Sequence, residues 1–213
     1  MLYGVRLGDY HSYDDLRIIL MKTDISAPNV KTSYVEIKGA DGSLDFTEAF
    51  GRINYKNRTI KLQFAYIGFM DDFPRKFSEI QNLLHGKKMK IIFDNDQEYY
   101  YYGRCSVDKW SIDKAMGTFN ISIECEPYKY REHETVVQFN IDNNRTILLA
   151  NDGMVTSPTF LSDSGMELEC NDTKCKIEAE KETLTDILLY AGVNEMTVKG
   201  TGKLTIRYQE GSL

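Results

Sequence analysis

Hydrophobic and polar positions alternate with a period of two along most of this chain, and with a helical period most clearly in one place. Across residues 59–69, Ile60, Leu62 and Phe64 fall on one face and Lys61 and Gln63 on the other, which predicts a half-buried strand. Residues 16–21 and 34–37 read as further strands. The helical signal follows: Phe73, Phe77, Ile80 and Leu84 form a single apolar stripe. Pro74 suits an early helical position and Gly86 the residue just past the end. Such a stripe is the face of a helix that covers the core of a sheet.

After the helix, residues 88–93 and 98–104 read as strands joined by the turn Asp94-Asn95-Asp96-Gln97. Residues 104–127 form a long hairpin with residues 113–117 as its loop. On the return strand Phe119, Ile121, Ile123 and Cys125 share a face. On the outgoing strand Cys105 and Val107 share one parity, while Trp110 and Ile112 share the other. One extra residue flips the facing of a strand, so a bulge is expected near Asp108-Lys109.

Beyond residue 131 the pattern is short strands separated by turn residues, at 135–141, 146–150, 166–170, 175–179, 184–190, 195–198 and 204–208. Strands of this number and spacing predict a β-sandwich. Residues 183–191 alternatively form a brief helical turn. Charge divides at the same place: residues 1–131 carry 19 basic and 18 acidic side chains, residues 132–213 carry 7 and 14. The polar segment around Arg131-Glu132-His133-Glu134 is therefore read as a boundary between domains 1–131 and 132–213. The predicted fold class is mainly β, a first domain mostly of strands with one α-helix followed by a second domain that reads as a β-sandwich.

Composition narrows the function. The chain of 213 residues has an ordinary 42% hydrophobic and 27% charged content, and a net charge of −6 argues against coating nucleic acid. No stretch approaches the ~18 apolar residues of a membrane span, and the N-terminus lacks a basic-then-apolar leader pattern. Folding where the chain is made, in a cytoplasm, is expected. Cys105, Cys125, Cys170 and Cys175 include no CxxC pair, so four reduced thiols and no zinc are expected. His11, His85 and His133 are far apart and read as surface or loop residues.

Catalytic motifs are missing. There is no GxSxG, HExxH, phosphate loop or dinucleotide fingerprint, and Gly200-Thr201-Gly202 reads as a turn. The Asp94-Asn95-Asp96 spacing resembles the start of a calcium loop, but Tyr99 and Cys105 stand where that loop needs Gly and Glu. The run Tyr99–Tyr102 places at most two tyrosines on one face of a strand, which argues against a stacking platform. No cofactor is expected.

The most informative stretch is residues 39–64, GADGSLDFTEAFGRINYKNRTIKLQF: a Gly-rich turn, a mixed apolar and acidic segment, a second Gly, and a basic patch leading into the alternating strand. The order Ile37-x-Gly39-x-Asp41-Gly42-x-Leu44-Asp45-Phe46-Thr47-Glu48 resembles the signature of phage distal tail proteins of the long, non-contractile tail class. Further resemblances are Glu126-Pro127-Tyr128-Lys129-Tyr130, Asn151-Asp152-Gly153 followed by Ser157-Pro158, and the closing Glu210-Gly211. Together they span nearly the whole chain.

The resemblance implies a virion protein with a tail-tube-like first domain, a β-sandwich or split barrel with one α-helix, and a galectin-like or carbohydrate-module-like β-sandwich as its second domain. It implies assembly with itself as a hexameric ring, single or in two stacked copies, joining the tail tube to the baseplate. The implied partners are the tail-tube protein, a tail-associated or tail-tip protein and a receptor-binding protein, with no nucleic acid and no membrane. The irregular region 22–58 suits an intersubunit arm.

Within it, Gly42 and Gly51 permit backbone conformations closed to other residues. Leu44, Phe46 and Phe50 would supply apolar contact to a subunit or the tube. Asp45, Glu48 and Arg52 would fix register through charge. The alternative is an ordinary hairpin with Leu44 and Phe46 packed into their own core. The alternative function is a carbohydrate-binding module using Phe139, Phe160, Tyr190 or Tyr208 of the second domain. An enzyme, such as a cell-wall hydrolase, is the least favoured reading.

Overall fold

The computed structural model describes residues 4–49, 51–113 and 116–213. The chain folds as two compact units, one running to Lys129, with Leu213, and a second from Tyr130 to Ser212. Both are mainly β.

The first unit holds β1 (Val5–Leu7), β2 (Tyr10–His11), β3 (Ile18–Ile25), β4 (Tyr34–Glu36), β5 (Ser43–Asp45), β6 (Arg58–Tyr66), α1 (Phe73–Leu84), β7 (Lys88–Phe93), β8 (Tyr99–Asp113) and the start of β9 (Met116–Arg131). The main sheet runs β2-β1-β7-β8-β9-β6-β3. Alternation sets its inner face: Ile60, Leu62 and Phe64 of β6 are buried and pair with Ile123, Ile121 and Phe119 of β9. Phe64 and Phe119 stack with ring centroids 5.6 Å apart.

The four stripe residues of α1, Phe73, Phe77, Ile80 and Leu84, are all buried against this face. The helix begins with Pro74 in its first turn and ends at His85 in extended backbone, with Gly86 at φ +75° beyond it. On β8, Tyr101, Cys105 and Val107 face the core, yet Trp110 packs on Phe73 and Phe77 at 5.4 and 6.0 Å. The core-facing parity of β8 therefore changes between Val107 and Trp110, as a bulge near Asp108-Lys109 requires. Two of the hairpin-loop residues, 114 and 115, lie outside the described residues.

Strands β4 and β5 form a separate two-stranded sheet. None of the described residues from Met21 to Asn57 is buried. The base of this arm is fastened by the Val30–Tyr55 bridge and by an edge contact between the Tyr55 and Tyr128 rings, 6.1 Å apart.

The second unit contains β10 (Thr135–Ile141), β11 (Asn144–Asn151), β12 (Thr159–Ser162), β13 (Met166–Cys170), β14 (Thr173–Ile177), β15 (Thr183–Leu184), β16 (Gly192–Lys199) and β17 (Gly202–Tyr208). They form two antiparallel sheets, β10-β17-β12-β15 and β11-β16-β13-β14. One core lies between them, with Phe160, Leu204 and Ile206 from the first and Leu149, Leu168 and Val198 from the second. The expected strand over 184–190 is a correction: only Thr183–Leu184 pairs as a strand, and Leu189 makes an isolated bridge to Thr156. The helical turn considered for the same residues does not form. Strand β12, four residues just after Pro158, has no counterpart among the strands expected from the sequence pattern.

Candidate functional site

The arm is the part of the first domain least used by its own fold. Strands β4 and β5 pair Tyr34 with Asp45, Val35 with Leu44 and Glu36 with Ser43. The turn between them uses Gly39 at φ +86° and Gly42 at φ +77°, a backbone region that favours glycine. Gly51 stands at φ +81° near the arm's return.

Among the described residues of the arm, six large apolar side chains are exposed: Tyr34, Val35, Ile37, Leu44, Phe46 and Ile53. Leu44 is 49% and Phe46 44% exposed, and neither belongs to the first domain's core. A soluble chain normally scatters such residues singly; grouped on one projecting element they read as contact surface. Phe50 lies outside the described residues.

Asp45 has a local task. The Thr47 hydroxyl and backbone N–H hydrogen-bond its carboxylate, the latter at 2.8 Å, and hold its carboxyl below the ordinary range. The Thr47 hydroxyl oxygen accepts the Ser33 N–H at 3.2 Å, and Phe46 N–H donates to Ser33 O. Asp45 thus fixes the hairpin's exit. Glu48 and Arg52 are exposed.

Groups that resemble chemical sites in the sequence are occupied by the fold. Asp94 accepts the Gly4 N–H at 2.6 Å, and Asp96 pairs with Lys129 at 2.6 Å, so the calcium-like turn is a structural clasp. The tyrosine run is capped by cations: Lys129 over Tyr99, Lys90 over Tyr100 and Lys88 over Tyr102, at 4.2, 4.2 and 4.4 Å. His85 Nδ1 accepts the Val107 N–H at 3.0 Å, which ties the helix end to β8. His11 sits between Asp14 and Asp94, at 3.0 and 3.3 Å.

All four cysteines are free, and burial pushes the thiols of Cys105 and Cys125 up to about 12. Thiols held protonated in this way are poor nucleophiles. No cluster among the described residues could hold a metal ion.

The aromatic residues considered for sugar stacking require a correction. Phe160 and Tyr208 are buried in the second core, and Phe139 packs against it. Tyr190 alone of the four is exposed, at 45%.

The sequence motifs of the second domain meet in space. Asn151 is fully buried; its amide donates to Met154 O and Leu189 O, and its oxygen accepts the Gly153 N–H. Met154 N–H donates to Gly211 O at 2.6 Å. Glu210 pairs with Arg131 at 3.0 Å and accepts from the Thr135 hydroxyl. The motif residues thus form an internal lock joining the end of the chain to β9–β11.

Sequence reasoning missed Arg58, a charged residue buried at the start of β6. Its signal was parity, since it shares the face of Ile60, Leu62 and Phe64.

The crystal structure of phage SPP1 Dit, described as a paradigm of the hub adsorption apparatus in phages infecting Gram-positive bacteria, superposes with a TM-score of 0.73. The alignment covers 100% of both chains at 17% identity. The family model described as the phage tail protein RIFT-related domain matches residues 7–125, and the chain belongs to that family.

A de novo designed double-stranded β-helix aligns with 37% of this chain and 99% of its own at 14% identity, with a TM-score of 0.26, too low to carry an argument. No curated protein sequence matches the chain.

Proposed function

We propose that this phage tail protein is a distal tail component, a structural rather than catalytic protein of the tail tip. It assembles with itself as a hexameric ring, single or stacked back to back, with domain 1–131 forming the ring around a central channel. The ring joins the tail tube to the baseplate. The tail-tube protein meets one side, and tail-associated and receptor-binding proteins meet the other. Assembly takes place in the host cytoplasm before the virion is released.

The observation that carries this reading is the arm. Leu44 and Phe46, with Tyr34, Val35, Ile37 and Ile53, present apolar surface that the chain's own core leaves uncovered. A neighbouring subunit would cover it, with Gly42 shaping the turn and Glu48 and Arg52 setting charge register at the rim. Fold similarity to SPP1 Dit over the full length supports the same reading. Negative-stain electron microscopy and light scattering of concentrated protein test it. Closed rings are expected, and their loss on replacing Leu44 and Phe46 with Ser ties assembly to the arm.

The carbohydrate-module reading is weaker. With Phe160 and Tyr208 buried, Tyr190 is left without a second exposed aromatic from the candidate set.

A further inference from the structure

An aspartate followed by glycine occurs twice in the chain, as Asp41-Gly42 in the arm and Asp152-Gly153 in the second domain. At such a step the backbone is open to attack on its own side chain. Glycine puts no Cβ in the way, and its φ and ψ are the least restricted of any residue.

The fold treats the two steps differently. Asp41 and Gly42 are both exposed, in the turn between β4 and β5. Neither the Asp41 carboxylate nor the Gly42 N–H has a hydrogen-bond partner among the described residues. The backbone bond inside the turn, Ala40 N–H to Ile37 O at 3.1 Å, stops short of them. Gly42 stands at φ +77°, and a Cβ there would meet nothing within 4 Å.

Gly153 is the opposite case. Its N–H donates to Asn151 Oδ1 at 3.1 Å, and it lies against the Gly211 carbonyl oxygen, which also accepts the Met154 N–H at 2.6 Å. Asp152 itself is exposed, with Arg131 3.9 Å away. Exposure of the carboxylate therefore does not separate the two steps. The glycine nitrogen does: at 42 it is free to turn onto the carboxyl group, and at 153 it is held.

The reaction needs no reactant but water. The Gly42 nitrogen bonds to Asp41 Cγ; its proton and a carboxyl oxygen leave as water, and a five-membered succinimide closes. Water then adds back at either carbonyl. Breaking the new Cγ–N bond restores aspartate. Breaking the original bond to the Asp41 carbonyl carbon leaves the chain running through Cβ and Cγ, an isoaspartyl linkage of unchanged mass. The turn then holds one more backbone atom and a main-chain carboxylate, in the hairpin that presents Leu44 and Phe46.

We propose that Asp41-Gly42 is a site of spontaneous backbone modification, where the arm accumulates isoaspartate while Asp152-Gly153 is protected by its fold. The inference stands on the two glycine nitrogens and is independent of ring formation.

The test ages the full chain at low concentration in warm, neutral buffer for several weeks. Trypsin then releases residues 39–52 and 146–174 as separate peptides, and electron-transfer fragmentation locates isoaspartate in each. A second form of 39–52, equal in mass, should grow with time. Conversion at Asp152 should be at least about tenfold slower, since reaction there requires breaking the hydrogen bonds that hold the turn. In concentrated urea the two steps should convert at similar rates. Asp41→Glu, whose extra methylene disfavours ring closure, should show no second form of 39–52. Equal rates in the folded chain overturn the proposal, as does an unmodified Asp41 in folded chain that converts in urea, or a second form that persists in Asp41→Glu.

Discussion

Gly153 lies against Gly211: a Cβ at position 153 would collide with the Gly211 carbonyl oxygen. The same oxygen accepts the Met154 N–H at 2.6 Å, so the two segments are held as close as backbone allows. With buried Asn151 hydrogen-bonded to the turn, this contact makes the two motifs, far apart in sequence, one structural unit.

Gly153→Ala should therefore destabilise the second domain by about 1–3 kcal/mol, the usual cost of forcing extra atoms into a packed site. Gly165→Ala is the control, because its nearest contact is 3.8 Å away, and it should change stability by less than about 0.5 kcal/mol. Urea denaturation of both variants measures the difference.

Phe77 connects α1 to the sheet through Phe119 and Trp110, and its ring also tilts against Phe73 of the same helix. Phe77→Ala should cost about 3–5 kcal/mol by leaving a cavity beneath the helix. Trp110 is the chain's single tryptophan, so its fluorescence reports the loss directly.

Alkaline pH should weaken the first domain through Cys105 and Cys125. Burial raises both thiols from 9.0 to about 12, so the folded state holds these protons more tightly than the unfolded chain. Their contribution is fully present below pH 9 and is lost as pH rises from about 9 through about 12. Unfolding free energy measured across that window should fall with pH, and the fall should be shallower in Cys105→Ala/Cys125→Ala.

Much of this fold was legible because local pattern and tertiary structure agree. The stripe of Phe73, Phe77, Ile80 and Leu84 is buried as a set, and β7, β10 and β13 occupy the residues their alternation marks. Agreement failed where pairing overrides local pattern. Strand β12 is four residues long and is specified by its neighbours β15 and β17, a signal no short window contains. Residues 184–190 alternate like a strand, but beyond Leu184 they bury Ile187 and Leu189 as an irregular segment.

The arm was visible as a long stretch without core-forming runs. Exposure of Leu44 and Phe46 was not, since apolar residues in a hairpin look the same whether they face their own core or a neighbour. Arg58 was hidden for the opposite reason, as a charge at a strand end ordinarily faces water.

Replacing Leu44 and Phe46 together with Ser separates these possibilities energetically. Both side chains are already half-exposed, so the unassembled variant should unfold within about 1 kcal/mol of wild type, whereas burial in the core would cost a few kcal/mol per residue. A loss of many degrees in melting temperature would show that the pair belongs to the domain's own core.

Ring assembly itself is tested most directly by the mass of the native protein in solution, measured by light scattering at concentrations up to the limit of solubility. Six times the 24.5 kDa chain mass, or twelve times for two stacked rings, is predicted, with reversion to monomer in Leu44→Ser/Phe46→Ser. Wild-type protein that remains monomeric over the whole range, and stays so when mixed with the tail-tube and tail-tip proteins of the same phage, would contradict the ring.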